Sequence, residues 1–391
     1  MSDDVVIVSG ARTPMGGLLG ELSALTAVEL GTTAIEASIE RAGIDASEIE
    51  EVYMGCVLAA GLKQAPARQA AIAAGIPNHA GAVTLNKLCG SGMQAVVFAH
   101  DAIKANTCKV AIAGGMESMS NAPHIINGAR GGVGTGARSL EDHMFFDGLQ
   151  DASTGRLMGS FAQQTADDNN ISREEMDAFA IQSLQRATQA IEDGVLLEET
   201  VPVVIKSRRG ETTITNDEQP PKAKLDKIPQ LRPAFAKDGT ITAANASSIS
   251  DGASALLMMS ESEAKARGLT PLARIKAHAR NSHEPSLFTT APIGSMQKVL
   301  DKAGWSTDDV DLWEINEAFA MVTMLAIKEL ALDPAKVNIY GGACAQGHPV
   351  GSTGSRIILT LIHALKRAGK SKGVASLCIG GGEALAVALE V

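Results

Sequence analysis

The stretch AIEASIERAGIDASEIEEVYMG, residues 34–55, returns as SMQKVLDKAGWSTDDVDLWEIN, residues 295–316, at a constant offset of 261 and without a gap. In each copy an apolar-periodic helix closes on an Ala-Gly pair, an acidic and Ser/Thr linker follows, and a strand-like run ends the unit. A second pair occurs in the same order: CGSGMQAVVFAHDAIKANTCKVAIAGG from Cys89 and VGSTGSRIILTLIHALKRAGKSKGVASLCIGGG from Val350. Each has a Gly-rich turn, an amphipathic helix, a basic turn, a buried strand and a glycine run. Two ordered matches describe a duplicated unit in which strands alternate with helices, so the chain is predicted to be α/β with two βαβ-type halves.

Around the repeat, residues 5–8 read as a buried strand, 27–42 as a helix ending at Gly43, 52–57 as a strand and 109–113 as a further apolar run. Between the halves the character changes. Residues 121–139 are rich in Gly and Arg, 172–193 form a charged helical stretch opened by SREE, and 201–243 are basic and contain proline. This segment is predicted to be an insertion decorating the first half, where ligand-binding loops are commonly built. The predicted division is 1–120, completed by about 244–270, then an inserted 121–243, then 271–391.

With 391 residues, 45% hydrophobic, 39 glycines and 3% aromatic residues, the chain can bury large cores through small side chains. A net charge of −10 disfavours nucleic acid, whose phosphates reward clustered cations. Residues 201–237 nonetheless hold eight basic residues (Lys206, Arg208, Arg209, Lys222, Lys224, Lys227, Arg232, Lys237) against four acidic ones, a local excess suited to a polyanionic small molecule. No apolar run is long enough to span a membrane, and the N-terminal residues lack a secretory pattern. Five scattered cysteines without CxxC pairing argue against disulfides and zinc knuckles and point to a reducing cytoplasm.

Cys89 sits between Leu88 and a Gly-Ser-Gly turn where a helix begins, so the helix end is predicted to favour its thiolate, and Gly90 and Gly92 to let backbone approach a substrate. His348 lies in the equivalent turn of the second half, within GGACAQGHPVGSTG. Pseudo-twofold packing would bring the two turns to one cleft, as a nucleophile and its base require. Cys378 precedes Gly380-Gly381-Gly382, whose N–H groups could bind an anion, and Asn316 opens NEAFA at a strand end, where an amide could hold a water or an oxyanion. Cys344 and His348 have a C-x3-H spacing but no clustered further ligands, so no metal is predicted.

At these residues the sequence resembles the thiolase family over nearly its full length. The resemblance is carried by NKLCGSGMQA around Cys89, AGGMESMSNAPH at 113–124, RPAFAKDGTITAANASSISDGA at 232–253, NEAFA at 316–320, GHPVGSTGSR at 347–356 and CIGGGEA at 378–384. It implies the thiolase fold: two stacked halves in a five-layer α-β-α-β-α sandwich, an inserted loop domain, and a homodimer or homotetramer. It further implies that Cys89 takes the acyl group of an acyl-CoA thioester, that His348 accepts the Cys89 proton, and that Cys378 moves the proton at C2 of the second acetyl-CoA. Asn316 would fix a water in one oxyanion hole, and the N–H groups of Cys89 and Gly380 would form the other. Ser247, Ala246, Ala244 and Leu149 resemble pantetheine contacts, Ala318 and Phe319 the floor beneath the thioester, and Lys222 or Lys224 would meet a CoA phosphate. No cofactor is implied, since coenzyme A thioesters are substrates.

The activity implied is Claisen condensation of two acetyl-CoA to acetoacetyl-CoA and CoA, or its reversal; the alternative is degradative thiolysis of longer 3-ketoacyl-CoA. Several positions depart from the family pattern. Leu157 stands in RLMG where a histidine is frequent, Phe288 lies where the acyl pocket is often lined by methionine, and Cys344, Gln346, Glu383 and Ala384 replace commoner residues.

Overall fold

The computed structural model describes residues 3–208 and 210–391; Arg209, counted above in the basic segment, lies outside them. The first half contributes β1 (Val5–Arg12), α1 (Ala27–Ala42), β2 (Glu51–Gly55), α2 (Pro66–Ala73), β3 (Gly81–Leu85), α3 (Ser91–Lys104), β4 (Val110–Ser118) and β5 (Ser250–Ser260). The second contributes β6 (Ala273–Ser282), α4 (Ala291–Ala303), β7 (Leu312–Ile315), α5 (Ala320–Glu329), α6 (Thr353–Ala368), β8 (Lys372–Ile379) and β9 (Glu383–Glu390). The predicted α1 boundaries hold because the sequence carries both stops. Thr26 and Glu29 close a capping box, and Gly43 takes φ +67° at the C-terminus.

These strands form one mixed sheet in the order β7-β8-β9-β6-β1-β5-β4-β2-β3. From the centre outward, β1, β5, β4 and β2 match β6, β9, β8 and β7, so the duplication read in the sequence becomes a pseudo-twofold axis. At that axis β1 and β6 pair through Val6↔Arg274 and Ile7↔Ala273 alone. The pairs β2 with β4, β2 with β3, and β7 with β8 are parallel, as strands joined by helices must be.

Alternate side chains of the same strands enter different cores. Val5 and Ile7 of β1, with Leu256 and Met258 of β5, join Met93 and Val96 of α3 and Ile358 and Leu361 of α6 in a central core. Val6, Val8, Leu257 and Met259 face the opposite way, onto Leu30 and Ile35 of α1. In the second half Val374, Ala386 and Ala388 pack outward against Met296 and Val299 of α4. The layers therefore run α1/α2, the first-half strands, α3/α6, the second-half strands, α4/α5, the five-layer arrangement expected. α6 is buried almost all round because it is an inner layer.

α3 and α6 cross at glycine. A Cβ on Gly92 would press on the Ser355 N and Ser352 O atoms, and one on Gly354 would collide with the Met93 backbone. Gly90 would drive a Cβ into Ile379. This corrects the reading that Gly90 and Gly92 admit substrate: both serve the approach of protein to protein. Packing across the axis cannot be seen from local sequence.

The segment between β4 and β5 holds helices Met158–Asp168 and Arg173–Glu192 and the hairpin Val203–Ser207/Gly210–Ile214. A capping box between Ser172 and Glu175 starts the second helix, as SREE implied. A buried guanidinium ties this segment down: Arg12 of β1 pairs with Glu199 at 2.6 Å and Asp217 at 2.7 Å.

Candidate active site

The paired turns ahead of α3 and α6 open on one cavity of about 740 Å³, lined by both Cys89 and His348. Leu88 holds φ +48°, a conformation costly for a leucine, and so re-aims the chain one residue before the nucleophile. Its N–H donates to Asn86 Oδ1 at 2.9 Å, while Ser91 Oγ accepts from the Lys87 N–H at 2.8 Å and donates to the Leu88 carbonyl at 2.7 Å. The result is a fixed elbow.

Part of the Cys89 surface faces the cavity and protein crowds the rest. Burial pushes its thiol up to about 11, against the pull of the N–H groups of Gly380 and of Cys89 itself, and the nearby Glu117 adds to the rise. The pull toward the thiolate expected of this turn is present in those N–H groups, but desolvation is the larger effect, so Cys89 calls for a base.

His348 can be that base. Its Nδ1 lies 2.6 Å from Thr353 Oγ1, and the Thr353 hydroxyl spends its proton on the Pro349 carbonyl at 3.0 Å. Thr353 can then only accept, which places the imidazole proton on Nδ1 and leaves the Nε2 lone pair free. Among the described residues the buried Nε2 has no partner. Burial, and after it the charge of Arg356, lowers His348 to about 3, so the ring rests neutral.

Cys378, at the end of β8, is fully buried, and both burial and the nearness of Cys89 push its thiol well above the usual range. Asn316 continues from β7, its N–H donating to the Ser376 carbonyl at 2.9 Å, and both its side-chain amide atoms are without a partner among the described residues. Buried polar atoms are rarely left unpaired, so this amide is a hydrogen-bonding group held for something else.

Of the other residues singled out, Leu149, Ala246, Ser247, Phe288, Ala318, Phe319 and Gly380 line the main cavity. Ala244, Lys222 and Lys224 line a second cavity of about 360 Å³, which shares Gln219 and Ala243 with the first. Lys222 is engaged by Glu21 and Glu218, each at 2.8 Å, whereas Lys224 meets no carboxylate among the described residues. Phe288 is buried and stacks edge-on against Phe319, ring centroids 6.4 Å apart, walling one side of the main cavity.

Sequence reasoning passed over Glu117. This wholly buried carboxyl accepts from the N–H groups of Val57 and Leu58 at 3.0 Å and Gly351 at 2.9 Å, bracing the His348 turn from the first half. Burial raises it to about 7. Its place in AGGMESMSNAPH was the available signal, an acid in an otherwise apolar strand end.

Duplicated α/β halves that share an inner helix layer, with one cavity where those helices begin, are the architecture of a cysteine-dependent condensing fold. The chain belongs to the thiolase family: the thiolase N-terminal domain matches residues 5–262 and the thiolase C-terminal domain residues 269–391. It is 46% identical over 391 residues to an acetyl-CoA acetyltransferase of Shinella zoogloeoides, covering 100% of both chains. It is 45% identical over 388 residues to one of Pseudomonas aeruginosa, covering 99% of each. The crystal structure of a Bacillus anthracis acetyl-CoA acetyltransferase superposes with a TM-score of 0.97 at 39% identity, over 100% of this chain and 99% of that one. A thiolase from Ascaris suum in complex with coenzyme A superposes at 0.94 with 42% identity, covering 99% of both.

Proposed function

We propose that this chain transfers an acetyl group between two acetyl-CoA molecules, yielding acetoacetyl-CoA and CoA, and catalyses the reverse thiolysis. The observation that carries this reading is His348, its buried Nε2 without a partner among the described residues, on the same cavity as Cys89.

In the first half-reaction Nε2 takes the Cys89 proton as sulfur attacks the thioester carbonyl. CoA leaves with that proton and acetyl remains on Cys89. In the second, the Cys378 thiol passes its proton to His348 Nε2 and the thiolate takes a proton from C2 of another acetyl-CoA; the carbanion attacks the acetyl-Cys89 carbonyl and expels the Cys89 thiolate, which recovers its proton from His348 and leaves Cys378 a thiol again. In thiolysis the Cys378 thiol gives its proton to C2 as the carbon–carbon bond breaks. Its raised pKa keeps that proton available. The N–H groups of Cys89 and Gly380 stabilise the acyl oxyanion, and His348 with an Asn316-held water the enolate oxygen. Pantetheine follows Leu149, Ala246 and Ser247, and the nucleotide end reaches the second cavity, where Lys224 has an unengaged charge.

The same reading keeps 121–243 as the loop domain between a first half (1–120 with 244–270) and a second (271–391). It makes the protein a cytoplasmic homo-oligomer. β3 supports the oligomer: it is a sheet edge that among the described residues pairs with β2 alone, and Val83 upon it and Phe98 on α3 are exposed.

Two experiments test the roles and the substrate. Cys89→Ser abolishes acetyl labelling of the protein by acetyl-CoA, whereas Cys378→Ser retains labelling and loses carbon–carbon bond formation; equal labelling and turnover in both refutes the assignment. In thiolysis, kcat/KM for acetoacetyl-CoA exceeds that for a medium-chain 3-ketoacyl-CoA because Phe288 closes the pocket. Comparable use of the longer substrate places the chain among the degradative enzymes instead.

A further inference from the structure

Near the C-terminal end of α3, eleven residues and about 16 Å along the helix from Cys89, lies a second group of chemically capable side chains. His100 Nδ1 is 2.9 Å from Asp101 Oδ1, and His278 Nε2, from β6, is 3.0 Å from the same oxygen. The three ligand atoms all lie within 4.8 Å of one another. The two rings meet edge-on, centroids 4.9 Å apart and planes at 80°. Both imidazoles are mostly covered while Asp101 is open to solvent.

We propose that His100, Asp101 and His278 form a site for one divalent first-row transition cation of the zinc class, with water completing its shell. Tetrahedral zinc with bonds near 2.0–2.1 Å sets its ligand atoms about 3.3 Å apart, so two of the separations need open by only a few tenths of an ångström. Two imidazoles and one carboxylate are a donor set that such cations favour over magnesium or calcium, which prefer oxygen. The ligands bind in their unprotonated forms, so affinity falls as pH is lowered. Two cations close by are engaged elsewhere: Lys104 is turned to the Asp3 carbonyl and Asp4, and Lys302 to the His278 carbonyl. Because the ligands come from an inner helix of the first half and the first strand of the second, the cation would clamp the halves together. No cavity opens on the cluster among those described, so its role is structural.

The test is calorimetric titration of chelator-treated protein with zinc chloride, with cobalt absorption as a second readout. The cysteines could also take zinc, so wild type is compared with His278→Ala and Asp101→Asn. The expected result is one equivalent in wild type whose affinity falls at least about tenfold in both variants. Zinc raises Tm in wild type only, while metal-free thiolysis is unchanged in all three. His278→Gln, closer in size, replaces His278→Ala should that variant fail to fold. An unaltered equivalent in the variants, or none in wild type, overturns the proposal and leaves a hydrogen-bonded triad.

Discussion

Thr353 decides which nitrogen of His348 is basic, because a hydroxyl that already donates to the Pro349 carbonyl can only accept from Nδ1. Thr353→Val keeps the volume and removes that acceptor. It is expected to lower kcat at least about tenfold with little change in KM, while Thr353→Ser restores it. The protonated state of Cys89 has its own signature. With a pKa near 11, alkylation of the resting enzyme by iodoacetamide should climb about tenfold per pH unit from about 7 to 9. A plateau near neutrality would show a preformed thiolate. His348 stood out in the sequence because a histidine in a glycine turn has little packing excuse, whereas Cys89 alone reads more readily as a structural cysteine and gains weight only from the matching turn in the other half. Their charge states were not legible there, since desolvation is set by residues from the other half.

At the scale of elements, the α3–α6 crossing leaves no room for a methyl group. Gly354→Ala is expected to cost about 1–3 kcal/mol in denaturant unfolding, since the new Cβ meets Met93 backbone rather than a side chain that could yield. A clip between two turns is also testable. Lys87, two residues before the nucleophile, pairs with Glu383, which follows the glycine run of Gly380. Glu383→Gln should leave KM largely unchanged and lower kcat modestly, with the wild-type value falling toward the variant's as salt screens the pair. Helix α1 was readable to the residue because its capping box and Gly43 are local. The crossing was not: Gly92 and Gly354 are far apart in sequence, and the glycines there suggested a substrate instead.

Across the molecule, Arg12 holds the inserted segment to the sandwich through Glu199 and Asp217, and Glu199 also accepts from Thr360 of α6. Removing the guanidinium strands two buried carboxylates. Arg12→Met should therefore cost about 3–5 kcal/mol, and hydrogen exchange should rise first around residues 195–218. The duplication and the insertion were plain in the sequence, because a constant offset needs no tertiary knowledge. The tie between them was not, since nothing local marks Arg12 as buried.

The central core draws on Val5 at one end of the chain and Leu389 at the other. On the ribosome, α3 thus emerges long before α6, β8 and β9 exist to cover it. The nascent first half carries an apolar helix face without its native cover until late in synthesis, so C-terminal truncation is expected to leave that face open and to promote aggregation.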